Sequence, residues 1–246
     1  MIILQIAVCI ATYNGEKYIE RQLTSILKQL RRNDEVIIVD DCSKDSTVAI
    51  IQDMQDDRIK LYTNHINIGF LATFERSLSL VSSTSEIVFL SDQDDIWMDN
   101  KVEKILYCFR DKTIDIIAHD AIIIDENNHI LHRSFTEIRR ITTSTIKNII
   151  SNSYTGCCLA FRANVKKVIM PIPRQASYHD RWIGIIGKLY GMKITFIPDK
   201  LIYYVRHNNN ASPAKRRDLI TIVLDRFGLL ESIVKHFVNR KIRIKN

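Results

Sequence analysis

At 246 residues the chain is long enough to bury a sizeable core, and with 46% hydrophobic and 26% charged residues it cannot be wholly disordered. The net charge of +7 sits in a tail: from Lys215 to Asn246 there are nine Lys or Arg against three Asp or Glu. The first 214 residues are therefore nearly neutral and lack the basic face expected of a nucleic-acid binder.

The opening MIILQIAVCIATYN has no basic lead and no small-residue cleavage site, so it reads as a first strand rather than a signal peptide. Ile19, Leu23, Ile26, Leu27 and Leu30 follow at helical spacing. VIIVDD (36–41) is a β-branched strand, and DSTVAIIQDMQ (45–55) is a helix with a plausible cap. IKLYTN (59–64) is a third strand, FLATFERSLSLV (70–81) a helix, and EIVFLSD (86–92) a fourth strand. This alternation predicts βαβ units and a parallel sheet covered on both faces.

After Trp97 the rhythm changes. A helix (102–111) leads to IDIIAHDAIIID, then to a polar stretch (134–155), TGCCLAF, a helix over 179–191, and the strand-like runs KITFIP and LIYYV. One catalytic domain over 1–212 is expected, with a nucleotide-binding half (1–100), an acceptor half (101–212) and a basic amphipathic helical tail (213–246). No apolar run reaches the roughly 18 residues of a membrane span. The five cysteines show no CxxC pair, and the odd count with adjacent Cys157 and Cys158 suits a reducing compartment.

In open α/β sheets, ligands bind beyond the carboxyl ends of the strands. Polar clusters occupy all four ends here: Thr12-Tyr13-Asn14, Asp40-Asp41, Asn64 to Asn67, and Asp92-Gln93-Asp94-Asp95. Each alone is compatible with a helix cap or a solvated turn; four in step point to a binding rim. Carboxylates this close repel unless a cation relieves them, and hard ions such as Mg²⁺ or Mn²⁺ take carboxylates together with substrate phosphates. Neither GxGxxG nor GxxxxGK[ST] occurs, which excludes the dinucleotide fingerprint and the P-loop. A nucleotide would instead stack on Tyr13 and hydrogen-bond to a carboxylate at 40 or 41.

The strings IATYNGEKYIERQLTSIL, VIIVDDCSKDST, NHINIGF and FLSDQDDIW, in this order, resemble family 2 glycosyltransferases of the GT-A fold, over roughly residues 5 to 210. The resemblance implies an inverting sugar transfer from a nucleotide-diphosphate donor, with Asp92 and Asp94 as the metal-binding Asp-x-Asp motif. It places Ala11, Tyr13 and Asp41 at the nucleotide base, with Asp40 beside them and Asn67 on a nucleotide-proximal loop. SYHDRWIG (177–184) resembles the segment of the catalytic base, making Asp180 the candidate; His179 stands where many relatives have Glu. YTGCCLAF resembles the acceptor-side segment, so Gly156 and Cys157, with Asp95, Trp97, His179 and Trp182, are expected to face the acceptor or the sugar. As structural residues, Asp180 would cap a helix and Trp182 would pack in the core.

DQDDIW and His-Asp-x-Trp are similar to a rhamnosyltransferase-like branch, as is LIYYVRHNNNAS, although Arg206 sits beside His207 rather than two positions before it. That ending makes His207 a candidate for the metal or the diphosphate. The implied donors are dTDP-rhamnose or a UDP-hexose, the implied acceptor a glycan or lipid-linked saccharide of bacterial surface polysaccharide synthesis. A sugar nucleotidyltransferase and an inactive nucleotide-sugar-binding module are the alternatives. The implied location is cytoplasmic, with two fates for the tail's apolar stripe: packing on the domain, or lying on the anionic inner face of the cell membrane.

Overall fold

The computed structural model describes residues 4–139, 141–207, 210 and 218–245, the last five of these as backbone. The expected boundary at 212/213 lies outside the described residues.

The first hundred residues wind as expected. Strands β1 (Ile6–Thr12), β2 (Glu35–Asp40), β3 (Ile59–Thr63) and β4 (Ile87–Ser91) are joined by helices α1 (Ile19–Leu27), α2 (Thr47–Asp53) and α3 (Phe70–Ser79). All pairings among these strands are parallel, with Thr12 opposite Asp40, Asp40 opposite Thr63, and Ile10 opposite Ser91. Their carboxyl ends are therefore level, and the four polar clusters share one rim. The strands read as continuous apolar runs because both faces are covered. Within β1, Ile6, Val8 and Ile10 enter one core with α1, while Ala7 and Cys9 enter the other with α3.

The second half is mixed. It comprises β5 (Ile96–Trp97), α4 (Lys101–Cys108), β6 (Ile116–Asp125), β7 (Ile130–His132), α5 (Phe135–Ile138), α6 (Thr145–Ile150), β8 (Leu159–Arg162), α7 (Lys166–Ile169), α8 (His179–Leu189), β9 (Ile194–Arg206) and α9 (Leu219–Lys245). Among the described residues, one sheet runs β3-β2-β1-β4-β8-β6-β9-β5, with β7 on β6. β8 is antiparallel to both β4 and β6, whereas β6 and β9 are parallel.

Two expectations are refined here. KITFIP and LIYYV form a single strand, because pairing to β6 continues across them; Pro198, which has no amide to donate, falls where the register shifts between His119–Ile197 and Asp120–Lys200. The polar stretch 134–155 contains α5 and α6, whose first-turn amides donate to the side chains of Ser134 and Ser144.

Helix α9 docks on α8. Leu229, Ser232 and His236 are buried, His236 meets the Trp182 ring edge-on at 5.3 Å, and Phe237 stacks on Tyr190 at 5.0 Å. Arg181, wholly buried, binds Asp225 of α9 through both terminal nitrogens at 3.0 and 3.1 Å. The tail's apolar stripe is thereby divided. Ile233 and Phe237 turn partly inward, while Leu219, Ile220, Val223, Leu224, Phe227, Leu230 and Val234 remain exposed. None of the described helices is long and apolar enough to cross a membrane.

Candidate active site

A cavity of about 460 Å³ opens over the level strand ends. Its floor is built from the segments that follow β1, β2 and β4. Past β1 the chain turns at Asn14, and Gln93 clasps Tyr13 from both sides, accepting from its amide at 2.9 Å and donating to its carbonyl at 3.1 Å. Tyr13 is left 46% exposed over the cavity. Asp41 accepts hydrogen bonds at 2.8 Å from Asn64 Nδ2 and from the Ile68 and Gly69 amides. These bonds hold the 64–69 loop, which presents Asn67, Gly69 and Phe70 to the cavity. Gly69 sits at φ 86°, a conformation costly for residues with a Cβ. Asp40 lies behind this wall, buried and satisfied by Thr12 and Ser43.

The acidic segment after β4 splits into two groups. Asp92 and Asp94 both line the cavity. Asp94 Oδ2 meets His207 Nε2 at 2.9 Å and accepts from Asn210 at 3.3 Å, while Tyr18 stacks on the His207 ring at 4.5 Å. Asp92 and Asp95 form the inner group with Cys157, their ligand atoms within 4.8 Å of one another. Burial, then the charge of Asp94, pushes Asp92 up to about 7. Burial and the charges of Asp94 and Asp92 also drive Asp95 well above the usual carboxylate range. Asp95 Oδ1 accepts from the Val205 amide at 3.2 Å, and its buried Oδ2 has no partner among the described residues.

Lys101 is the counterweight. Wholly buried, it donates to the Cys157 carbonyl at 2.8 Å and lies 4.2 Å over the Trp97 ring. Burial pulls its ammonium down to about 8. The carboxylates remain short of positive charge, and oxygen donors with an imidazole suit Mg²⁺ or Mn²⁺. The residues present therefore fit a divalent ion. Cys157 does not belong to that donor set, since burial holds its thiol well above its ordinary pKa.

Opposite the acids stands the start of α8. His179 is buried and stacked on Phe74 at 4.0 Å, with neither ring nitrogen hydrogen-bonded among the described residues. Burial lowers its pKa, so the imidazole is neutral at pH 7. Gly156 makes room for it: a Cβ there would collide with His179 Nε2. Asp180 follows, with Oδ1 accepting from the Arg181 amide at 2.6 Å and from Asn152 Nδ2 at 3.1 Å. The helix cap itself is Tyr178, so Asp180 lies inside the first turn, and its Oδ2 has no hydrogen-bond partner among the described residues.

Most of the expected site residues thus converge. Ala11, Tyr13, Asp41, Asn67, Asp92, Asp94, Gly156, His179 and Asp180 line one cavity, and His207 joins through Asp94. Trp97 and Trp182 do not. Trp97 lies under the acidic segment, and Trp182 is core, its indole N–H donating to the Ile169 carbonyl at 2.7 Å. Gln93, Lys101, Phe74 and Tyr204 had no sequence signal of a role. Lys101, Phe74 and Tyr204 lie in ordinary strand or helix patterns and Gln93 lies within the acidic cluster with no role of its own; only the fold shows what each touches.

Residues 7–170 match the family model for glycosyl transferase family 2. The Escherichia coli UDP-Glc:alpha-D-GlcNAc-diphosphoundecaprenol beta-1,3-glucosyltransferase WfgD is 27% identical over 183 residues, covering 74% of this chain and 69% of its own. Among solved structures, S. aureus TarS 1-349 in complex with UDP-GlcNAc superposes with a TM-score of 0.68 at 21% identity over 84% of this chain, which spans 60% of the TarS chain. Mannosyltransferase PcManGT from Pyrobaculum calidifontis, in complex with GDP-Man and Mn²⁺, superposes with a TM-score of 0.64 at 20% identity, covering 97% of this chain and 64% of its own. These likenesses show the GT-A fold. The family match spans well over half of the sequence, and the chain belongs to glycosyl transferase family 2.

Proposed function

We propose that the protein moves a sugar, with inversion, from a nucleotide-diphosphate donor to a hydroxyl of a lipid-linked saccharide in bacterial surface polysaccharide synthesis. The observation that carries this reading is the position of Asp180, across the cavity from Asp92 and Asp94 and also on the wall of a second cavity. UDP-hexoses and dTDP-rhamnose are the donors to test first; the lipid-linked acceptor is supported by the name of the E. coli relative.

In this reading the nucleotide lies along Ala11, Tyr13, Asn67 and the loop held by Asp41. Asp92, Asp94 and His207 would hold Mg²⁺ or Mn²⁺, which supplies positive charge to the departing diphosphate. A divalent ion is also what PcManGT binds together with its donor. Asp180 accepts the proton of the acceptor hydroxyl as that oxygen attacks the anomeric carbon from the face opposite the diphosphate. Asn152 and the Arg181 amide fix Oδ1, leaving Oδ2 for the proton. Neutral His179, stacked on Phe74, shapes the wall beside Asp180 without adding charge. The reaction takes place at the cytoplasmic face of the membrane, where the exposed apolar face of α9 rests on anionic lipid.

Asp180→Asn is expected to lower transfer by roughly 10²–10⁴, the usual worth of a general base, with metal-dependent nucleotide-sugar binding unchanged. A panel of nucleotide-sugars assayed for turnover, with binding followed by calorimetry, names the donor. Full transfer by Asp180→Asn would reject the base assignment. Binding without turnover of any donor would favour an inactive nucleotide-sugar-binding module.

A further inference from the structure

A second cavity, of about 540 Å³, opens on the far side of Asp180. It shares Thr155, Tyr178, Asp180 and Tyr204 with the first, so the Asp180 side chain stands in the wall between them. The rest of its lining is strongly cationic. Arg139, Arg181, Arg206 and Arg226 contribute to it, and Asp180 is the lone carboxylate among the described lining residues.

These arginines are not equivalent. Arg181 is committed to Asp225, and Arg226 is bonded to Asp225 and to the Ile150 carbonyl. Arg139 uses one terminal nitrogen on the Tyr154 carbonyl at 3.1 Å and Thr155 Oγ1 at 3.4 Å, leaving Nε and the other terminal nitrogen without a partner among the described residues. The side chain of Arg206, half-buried at the end of β9, has neither a hydrogen bond nor an ion pair among the described residues. Two guanidinium groups with donors to spare, lining one cavity, suit a phosphate or diphosphate. Beyond them the cavity is edged by Leu131 and Ile138, apolar side chains about half exposed.

We propose that Arg139 and Arg206 bind the diphosphate of a lipid-carried acceptor. The acceptor sugar then reaches Asp180, and the hydrocarbon chain leaves over Leu131 and Ile138. This rests on the transfer reaction proposed above and specifies how its acceptor is recognised. It also gives Arg206 a function at the position where the branch pattern is shifted.

The test measures binding with the donor site filled by saturating nucleoside diphosphate and Mn²⁺. The probes are farnesyl diphosphate, farnesol and inorganic diphosphate. The wild-type chain should bind farnesyl diphosphate at least tenfold more tightly than farnesol. Arg206→Gln and Arg139→Gln should each weaken farnesyl diphosphate roughly tenfold or more, the usual loss for a charge-assisted hydrogen bond, while farnesol and nucleotide binding stay the same. Arg206→Lys should restore part of the loss, which a folding defect would not allow. Farnesyl diphosphate binding that ignores both Gln variants would overturn the proposal. Equal, arginine-dependent affinity for inorganic diphosphate would overturn the lipid carrier as its ligand. Failure of the wild type to bind any nucleoside diphosphate would instead sink the glycosyl-transfer reading on which the proposal rests.

Discussion

Asp92 and Asp94 are two positions apart, yet the chain turns them to different neighbours. Asp94 faces His207 and Asn210, whereas Asp92 faces Asp95 and Cys157. Asp94 and His207, proposed as metal ligands, should therefore respond differently to removal. Asp94→Ala takes away the carboxylate closest to His207 and is expected to abolish Mn²⁺-dependent donor binding in calorimetry. His207→Ala removes an imidazole and is expected to raise the Mn²⁺ concentration for half-maximal binding by about tenfold, with excess metal restoring it. Mn²⁺-dependent donor binding unchanged from the wild type in both variants would refute the ligand set. Gly156 tests the opposite wall. In Gly156→Ala the new methyl must displace the His179 ring from Phe74, and such overpacking costs about 1–3 kcal/mol. A lower melting temperature and weaker donor binding are expected together; a variant with unchanged donor affinity would show that His179 does not shape the sugar site.

At the scale of elements, helix α8, which carries Asp180, depends on the tail. Arg181, next to Asp180, is neutralised by Asp225 of α9, and stripping one partner from such a buried pair costs about 3–5 kcal/mol. Two groups at this contact titrate with the same sign. Burial, then the charge of Arg240, lowers the pKa of His236, so the folded state prefers it neutral. For Asp225, burial raises the pKa, but the hydrogen bonds from Arg181 and Ser177 and the Arg181 charge outweigh it and leave the carboxyl below its ordinary range. Both groups bind protons more weakly when folded, so stability is complete above the unfolded pKa values of roughly 6.5 and 3.9 and is lost as pH falls below each. The protection factors of the α9 amides should therefore fall in two stages, below about pH 6.5 and again below about pH 4. Asp225→Asn should remove the lower stage. Protection that does not change between pH 7 and pH 3 would show that neither group holds the tail.

The whole molecule shows why some of this was legible in the sequence. The parallel half follows from apolar runs alternating with 3.6-residue periodicity, and the level strand ends carry their polar clusters in plain view. Asp180 was visible only through resemblance, since a lone Asp at a helix start is ordinarily a cap. Lys101 was not visible at all, and Gln93 only as a member of the acidic cluster, because their contacts depend on how β4, β5 and β8 meet. The tail is an intermediate case: helical spacing identified an apolar stripe but not which part of it packs. The fold buries Leu229 and His236 and leaves Leu219, Val223, Leu224 and Phe227 outward, with Phe227 66% exposed. These share α9 with Arg226, on the wall of the second cavity, in a tail with nine Lys or Arg. An apolar face on a tail rich in Lys and Arg suits an anionic membrane surface, where each buried large side chain contributes about 1.5–3 kcal/mol and each nearby Lys or Arg about 1 kcal/mol. Vesicles with one-third anionic lipid should therefore sediment the wild-type chain. Val223→Ser, Leu224→Ser and Phe227→Ser should each reduce partitioning by roughly tenfold or more, with the melting temperature unchanged because none of the three is buried. High salt should weaken binding, and neutral vesicles should bind less. Co-sedimentation indifferent to all three substitutions would assign this face to another occupant and separate the acceptor's carrier lipid from the helix.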